Sequence, residues 1–298
     1  MLVLDEKRVR AAITVADLIP VMERALIDFS AGRIVQPVRQ MLEVPDRGGL
    51  FAPMPVIMDD VIGVKALTYY PGNAARGIPT HYAQILLFRA DTGEPLATIN
   101  GRLITEMRTA AVSAAATKVM AATDARVLAI LGSGVQARSH LEALRLVRKF
   151  AEVRVWSPTA AHARRFADAT GVRLATSAAA AVADADVIVT ATAATRPVLA
   201  GAWLKAGAHV NAIGAPRPTW RELDDTAMGN LLVVDSREAA TKESGDVILS
   251  KAVIAAELGE VLAGHKIVNR ARTTVFKSVG LAVEDVVAAR LVFERARR

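Results

Sequence analysis

The stretch VLAILGSGVQARSH, from Val127 to His140, constrains this chain more than any other: an apolar, β-rich run breaks into glycines and resumes as a polar stretch compatible with a helix. Gly132, Gly134 and Ala137 form the pattern GxGxxA between that predicted strand and that predicted helix. In such a setting the first glycine permits a tight turn, the second lets a pyrophosphate approach the backbone, and the small third residue lets helix and strand pack closely. The helix N-terminus adds unsatisfied N–H groups and the positive end of its dipole. An ordinary glycine-rich turn carries the same letters, so the surroundings decide. From about residue 124 the chain alternates ARVLAIL, QARSHLEALRLVRKF, EVRVWS, AAHARRFADA, ADVIVTAT, AHVNAIG and NLLVVDS. Strands separated by single helices need crossover connections and produce a parallel sheet covered on both faces. The expected fold class is therefore α/β, a Rossmann-type doubly wound sheet over 113–275 that binds a dinucleotide.

The first hundred residues read differently. TVADLIPVMERALIDFSAGRI has helical spacing, whereas GVKALTYY, AQILLFRA and PLATING are short strands set off by the turn signals PGN and DTGEP. Strands joined by so short a turn favour an antiparallel meander. The C-terminal TTVFKSVGLAVEDVVAARLVFERA offers a strand, a glycine and an amphipathic helix able to return to this part. A smaller α+β domain over 1–112, completed by 276–298, is expected.

With 298 residues, 52% of them hydrophobic, the chain can bury a sizeable core. No run of 18 uninterrupted apolar residues occurs, and the N-terminus lacks the basic-then-apolar order of a secretory signal, so a soluble, cytoplasmic protein with no membrane partner is expected. The absence of cysteine removes disulfides, thiolate zinc sites and cysteine nucleophiles together. A net charge of +7 suits nucleic acid or a basic pocket for small anions, but Lys and Arg are scattered, with no aromatic-interleaved basic segment. The expectation is no nucleic acid partner. No His, Asp and Glu spacing suggests a metal, and the serine of GSGVQ is not at the centre of a GxSxG elbow.

The end of the second strand bears on the cofactor. An NAD site places Asp or Glu there, about 20 residues past the glycines, to accept from the ribose hydroxyls. Here the strand ends VRVWSPT, with Ser157 and Thr159 in that place, Arg154 within the strand and Arg164 and Arg165 beyond. Losing the acid removes repulsion against a 2′-phosphate, so NADPH is expected, with NADH the alternative. Arg164 and Arg165 also suit a solvated helix face.

Seven stretches, GVKALTYYPGN, NGRLITEMRTAAVSAAATK, ILGSGVQA, RPTWRELDD, KESGDVILS, AELGEV and TTVFKSVGLAVEDVVAA, together resemble, in this order, the ornithine cyclodeaminase/mu-crystallin family. The resemblance spans nearly the whole chain. It implies a Rossmann domain plus a substrate-binding and dimerisation domain, as a homodimer. Family members reduce cyclic ketimines, oxidise or form alanine, cyclise ornithine or lysine with loss of ammonia, or bind thyroid hormone, so membership alone does not settle the reaction. Cyclodeaminases carry an Asp shortly after the NAxG strand, where NAIGAPRPTWREL has Pro216, a residue with no proton to exchange. The mu-crystallin branch has a similar RPxWRELDD, matched at Arg217, Pro218, Trp220, Arg221, Glu222, Leu223, Asp224 and Asp225, although it tends to have Ser at 216. The resemblance is therefore strongest to NAD(P)H-dependent ketimine reductases acting on Δ1-pyrroline-2-carboxylate or Δ1-piperideine-2-carboxylate to give L-proline or L-pipecolate. An alanine dehydrogenase, an ornithine or lysine cyclodeaminase, and a non-catalytic NADPH-dependent ligand-binding protein remain alternatives.

Reducing a cyclic imine that carries a carboxylate requires a clamp for the anion and a proton for the nitrogen. The resemblance puts substrate positions at Arg39, Lys65, Thr80 and Arg108, and catalytic ones at Lys65, His81 and Arg108. Arg binds both oxygens of a carboxylate with a planar fork, whereas Lys contributes a mobile charge that can relay a proton when its pKa is lowered. By spacing alone Arg39 also suits a surface position, Lys65 a strand edge, and Thr109 the cap of a helix TAAVSAAATK that would meet a phosphate. Cofactor positions implied are Arg108, Thr109, Gly132, Ser133, Gly134, Val135, Gln136, Ser157, Thr159, Thr192 and Ser278; Ser278 also suits the cap of the last helix.

Overall fold

Alternating apolar and polar residues in the N-terminal third produce strands that bury one face, and the structure pairs them as an antiparallel meander. The computed structural model describes residues 1–297 and divides the chain into two units, Met1–Arg108 with Leu281–Arg298, and Thr109–Gly280. In the first, β1 (Leu2–Leu4), β2 (Leu42–Val44), β3 (Gly49–Met58), β4 (Val61–Tyr69), β5 (His81–Arg89) and β6 (Pro95–Asn100) form one sheet in the order β1-β6-β5-β4-β3-β2. Strands β2 to β6 are antiparallel to their neighbours, and β1 joins β6 in parallel.

Ala52, Met54, Val56 and Met58 of β3 and Ala83, Ile85 and Leu87 of β5 are buried, whereas the intervening Ile57 and Tyr82 are exposed. Helices α1 (Glu6–Ala12) and α2 (Val15–Ser30) and the C-terminal helix (Ala282–Ala296) belong to this unit. The start of α2 is a capping box in which the Thr14 hydroxyl accepts from Asp17 N and the Asp17 carboxylate accepts from Thr14 N. Asp17 also binds Arg295 at 2.8 Å, which ties the end of the C-terminal helix to the start of α2.

How closely the C-terminal helix approaches the sheet is set by one residue. A Cβ on Gly63, in the middle of β4, would lie 2.4 Å from a methyl of Val286. The absence of a side chain there lets Val286, and Asp285 beside it, descend onto β4.

The second unit holds the parallel sheet expected from the βαβ order: β7 (Val127–Leu131), β8 (Glu152–Trp156), β9 (Arg173–Leu174), β10 (Val187–Thr190), β11 (His209–Ala212), β12 (Leu231–Val234), β13 (Ile254–Glu257) and β14 (Thr274–Lys277). Their order is β13-β12-β14-β11-β10-β7-β8-β9, and every pairing is parallel. Helix α3 (Gly101–Met120) carries the chain from the first unit into the second, and α4 (Val135–Val147) and α5 (Ala160–Thr170) follow β7 and β8. The fold is thus α/β with a Rossmann-type sheet.

Two expectations need correction. A boundary at 275/276 would cut β14, which is buried between β11 and β12 in the parallel sheet; the return to the first unit begins at Leu281. Thr109 is not at a helix N-terminus, because the helix starts at Gly101 and Thr109 lies inside it. The preceding GRLITEMR contains no breaker, and it continues the helix. No helix among the described residues is long and apolar enough to cross a membrane.

Gly63→Ala is expected to lower stability by about 1–3 kcal/mol, the usual cost of forcing an extra carbon into a packed core. Chemical denaturation of the two proteins checks it, and an unchanged midpoint would contradict the close approach.

Candidate active site

Lys65 lies in the middle of β4, between β3 and β5, and is 1% exposed. It is therefore not an edge lysine. A buried ammonium needs a partner, and Lys65 Nζ donates to Asp285 Oδ2 in a short contact. The other oxygen of that carboxylate accepts from Arg108 Nε at 3.0 Å, and Arg108 Nη1 reaches Glu284. Neither acid was singled out from the sequence, yet both sit in the first turn of the C-terminal helix and are fully buried. The signal was an adjacent pair of acids inside the otherwise apolar GLAVEDVVAA, which cannot be buried without cationic partners.

Arg39 comes from the segment between α2 and β2, which is anchored at two points. Val35 and Ile57 exchange backbone hydrogen bonds of 3.0 and 2.9 Å, and the Gln36 side chain accepts from Val283 N at 2.8 Å, near the start of the C-terminal helix. The Arg39 charge is felt by Lys65, as is that of Arg108. His81 stands on the same sheet face as Lys65, because it pairs with Tyr69 four residues further along β4. Thr80 precedes it, and its carbonyl accepts from Tyr70 N at 2.8 Å. The structure thus brings Lys65, His81, Arg108 and the charge of Arg39 together in the first unit.

Protonation follows from burial and neighbours. Burial lowers the Lys65 pKa to about 8, opposed by Asp285 and assisted by the repulsion of Arg108 and Arg39. Burial and the Lys65 charge bring His81 down to about 4, so its ring is neutral at pH 7. For Arg108, burial opposes the charge, but Asp285 and Glu284 outweigh it and the pKa is raised. Asp285 is held below the usual carboxylate range because Arg108 and Lys65 outweigh its burial.

In the second unit the glycine turn leaves β7 at the point where strand order reverses, with β8 on one side and β10 on the other. Ligands of open α/β sheets bind at such a switch, beyond the C-terminal strand ends. Gly132 has φ +125°, and a Cβ there would lie 2.3 Å from Ala191 O. Its N–H donates to Trp156 O at 2.8 Å, joining the turn to the end of β8. Gly134 is the N-cap of α4, supplies no side-chain cap, and its Cβ position meets nothing within 4 Å. Ala137 is fully buried. An open cradle at the start of a 13-residue helix fits a pyrophosphate. Ser133, Val135 and Gln136 line the same turn.

Ser157 and Thr159 follow β8 next to this turn, and Arg164 and Arg165 are exposed on α5. Arg154 is committed elsewhere: it forms a two-point pair with Glu152, at 2.9 Å each, and donates to Ala183 O. Thr192 and Ser278 are both tied down. The Thr192 hydroxyl donates to Glu222 at 2.6 Å, and Ser278 Oγ donates to Asp235 at 2.9 Å. The cap of the last helix is Leu281, not Ser278. No group of three or more metal-ligating side chains occurs among the described residues.

Comparison with known proteins gives concordant likenesses. The profile of the ornithine cyclodeaminase/mu-crystallin family matches residues 1–298. Ketimine reductase mu-crystallin of Macropus fuliginosus is 50% identical over 286 residues, covering 93% of this chain and 91% of that protein. A Δ1-pyrroline-2-carboxylate reductase of Bacillus cereus is 35% identical over 315 residues, covering 99% and 97%. Among solved structures, Δ1-pyrroline-2-carboxylate reductase of Thermococcus litoralis in complex with NADH and L-proline superposes with TM-score 0.95 at 36% identity, covering 100% of this chain and 98% of that one. An archaeal alanine dehydrogenase dimer with bound NAD gives 0.93 at 32% identity, covering 100% and 96%.

The two glycines of the turn are expected to separate structure from binding. Gly132→Ala should lower the melting temperature, because it forces a left-handed φ and a backbone clash. Gly134→Ala should leave melting unchanged and weaken dinucleotide binding by roughly tenfold or more, since its methyl would fill the open space into which a pyrophosphate is expected to fit. Thermal melts and fluorescence titration with NADPH distinguish the two.

Proposed function

The chain belongs to the ornithine cyclodeaminase/mu-crystallin family, and we propose that it is an NAD(P)H-dependent ketimine reductase converting Δ1-pyrroline-2-carboxylate or Δ1-piperideine-2-carboxylate to L-proline or L-pipecolate. One observation carries the reading: the Lys65 ammonium and the Arg108 guanidinium are buried on the same carboxylate, and Lys65 feels the charge of Arg39 as well. Lys65, Arg108 and Arg39 are three cations against the two buried carboxylates of Asp285 and Glu284, and a small carboxylate arriving among them balances the excess. A Thermococcus litoralis reductase of 36% identity, solved with NADH and L-proline, supports both the reaction and its cofactor class.

Arg39 and Arg108 grip the substrate carboxylate, with Thr80 beside them. Lys65 gives a proton to the ring nitrogen and regains one from solvent. His81, neutral at pH 7, offers a hydrogen bond and no acidic proton. A reduced nicotinamide, when bound, supplies the hydride that the imine carbon takes up, so that C=N becomes CH–NH. Gly132, Ser133, Gly134, Val135 and Gln136 hold the pyrophosphate, and Ser157 and Thr159 the adenosine ribose. Thr192 and Ser278 act through the backbone that they fasten. With no acid at the end of β8 and two exposed arginines on α5, NADPH is preferred over NADH. In this reading the enzyme works in the cytoplasm as a homodimer, a state supported by the archaeal alanine dehydrogenase dimer.

Consumption of NADPH with five- and six-membered cyclic imino carboxylates, against pyruvate plus ammonia and ornithine, tests the reading. Turnover of the cyclic imines alone is expected, whereas ammonia-dependent pyruvate reduction or release of ammonia from ornithine would replace it with one of the related activities. Arg39→Ala and Arg108→Ala should raise the KM for the imine by roughly tenfold or more while changing that for NADPH little, as expected for loss of charge-assisted bonds of about 1.5–3 kcal/mol. Equal effects on both would contradict the clamp. Comparing kcat/KM for NADPH and NADH checks the cofactor preference, and light scattering should return twice the chain mass.

A further inference from the structure

We infer that Asp285 is the positioning residue of the reaction: its two carboxylate oxygens, one on Lys65 and one on Arg108, fix the proton donor beside the carboxylate clamp and keep the Lys65 proton in place. The inference rests on the ketimine-reductase reading, and it assigns a distinct duty to each of two adjacent acids.

The geometry separates them. Asp285 Oδ2 accepts from Lys65 Nζ and Oδ1 from Arg108 Nε at 3.0 Å, whereas Glu284 accepts from Arg108 Nη1. Lys65 comes from β4, Arg108 from α3 and Asp285 from the C-terminal helix, so one carboxylate sets the spacing between side chains of two other elements. Asp285 is 0% exposed, so bulk solvent does not compete for its two oxygens. Gly63 permits the approach, because any side chain there would meet Val286, the next residue along.

The chemistry requires such a group. Each turnover moves one proton from Lys65 to the imine nitrogen while the adjacent carbon accepts a hydride from the reduced nicotinamide; nitrogen and carbon each gain one hydrogen, and Lys65 is reprotonated from water. A lysine buried without a counter-charge loses its proton below neutral pH. The charges that act most strongly on Lys65 are those of Asp285 from the C-terminal helix, Arg108 from α3 and Arg39 from the segment before β2, with the neutral His81 ring on β5 and Glu284 on the far side of Arg108. Of these, Asp285 is the acid that touches Lys65 itself. Its charge and hydrogen bond oppose burial and the two arginines, leaving the Lys65 pKa at about 8.

Asp285→Asn preserves shape and removes the charge. The alkaline limb of the kcat–pH profile should move to lower pH by about one unit or more, with kcat at pH 8 reduced roughly tenfold or more. Glu284→Gln should raise the imine KM and leave that limb where it is. A direct readout independent of turnover is the titration of the Lys65 resonance in protein carrying ε-13C-lysine, assigned by its loss in Lys65→Met; it should shift down in Asp285→Asn and stay in place in Glu284→Gln. NADPH affinity should be unchanged in both. If Asp285→Asn does not fold, Asp285→Glu takes its place: the charge remains, so the limb and the resonance should hold their wild-type positions while kcat falls with the displaced ammonium. An unmoved limb and resonance in Asp285→Asn, or wild-type kcat in Asp285→Glu, overturns the inference. Absence of imine reduction by the wild-type enzyme would instead overturn the ketimine-reductase reading, and the Lys65 titration would still report on Asp285.

Discussion

A single carboxylate, that of Asp285, organises the first unit. It lies between an ammonium and a guanidinium with essentially no access to water. Such a cluster is a poor way to stabilise a protein, because removing charges from water costs several kcal/mol per ion and replacement by apolar residues is often neutral or better. Breaking one of its pairs, in contrast, costs about 3–5 kcal/mol, since the surviving charge remains buried. The arrangement therefore offers little to stability and demands much of precision. Its supports are of the same kind: a glycine in β4 for the close approach of the C-terminal helix, a Gln36 hydrogen bond at the start of that helix, and an Arg295 pair near its end.

The second unit follows the same logic at the C-terminal ends of its strands. Glu222 accepts four hydrogen bonds, from Thr190 Oγ1, Thr192 N, Thr192 Oγ1 and Gly214 N, and so joins the ends of β10 and β11. Asp246 accepts from the backbone N–H groups of Glu222 and Leu223 and pairs with Lys277 at 3.0 Å, while Asp235 accepts from Ser278, Val279 and Gly280. Loops that leave a parallel sheet have no ladder of their own, and buried carboxylates that collect backbone N–H groups give them fixed positions. In both units, then, acids on the inside hold in place the segments that carry the proposed binding residues.

What the sequence made legible was periodicity and local chemistry. The strand–helix alternation after residue 124 led to the parallel sheet, and the turn signals before it led to the meander, because both patterns are written in neighbouring residues. The roles of Gly132 and Ala137 in the turn were legible for the same reason. Long-range pairing was not. Lys65 looked like a strand edge because nothing beside it reveals a partner 220 positions away. Thr109 looked like a cap because a threonine before an alanine-rich run has that form; the helix in fact begins earlier, at Gly101. The edge strand β13, inside AELGEV and the residues before it, is short and has no periodicity to betray it. Arg154 looked available to a phosphate, since its pairing with Glu152 across one intervening residue is satisfied only once both lie on the same face of β8.

The proposed role of Lys65 as proton source rests on what each cation can release. A guanidinium is in general charged throughout the ordinary pH range, a group suited to binding an anion and not to protonating an imine. His81 sits close to the cluster but is neutral at pH 7, because burial and the Lys65 charge have already removed its second proton. That leaves one group charged at neutral pH and able to lose a proton near pH 8, the Lys65 ammonium. Arg108 and Arg39 weaken the hold of Lys65 on its proton, and a carboxylate bound among them would partly restore it. In the proposed mechanism, substrate binding and proton readiness are thus set by one balance of charges, with Asp285 as its negative arm on Lys65.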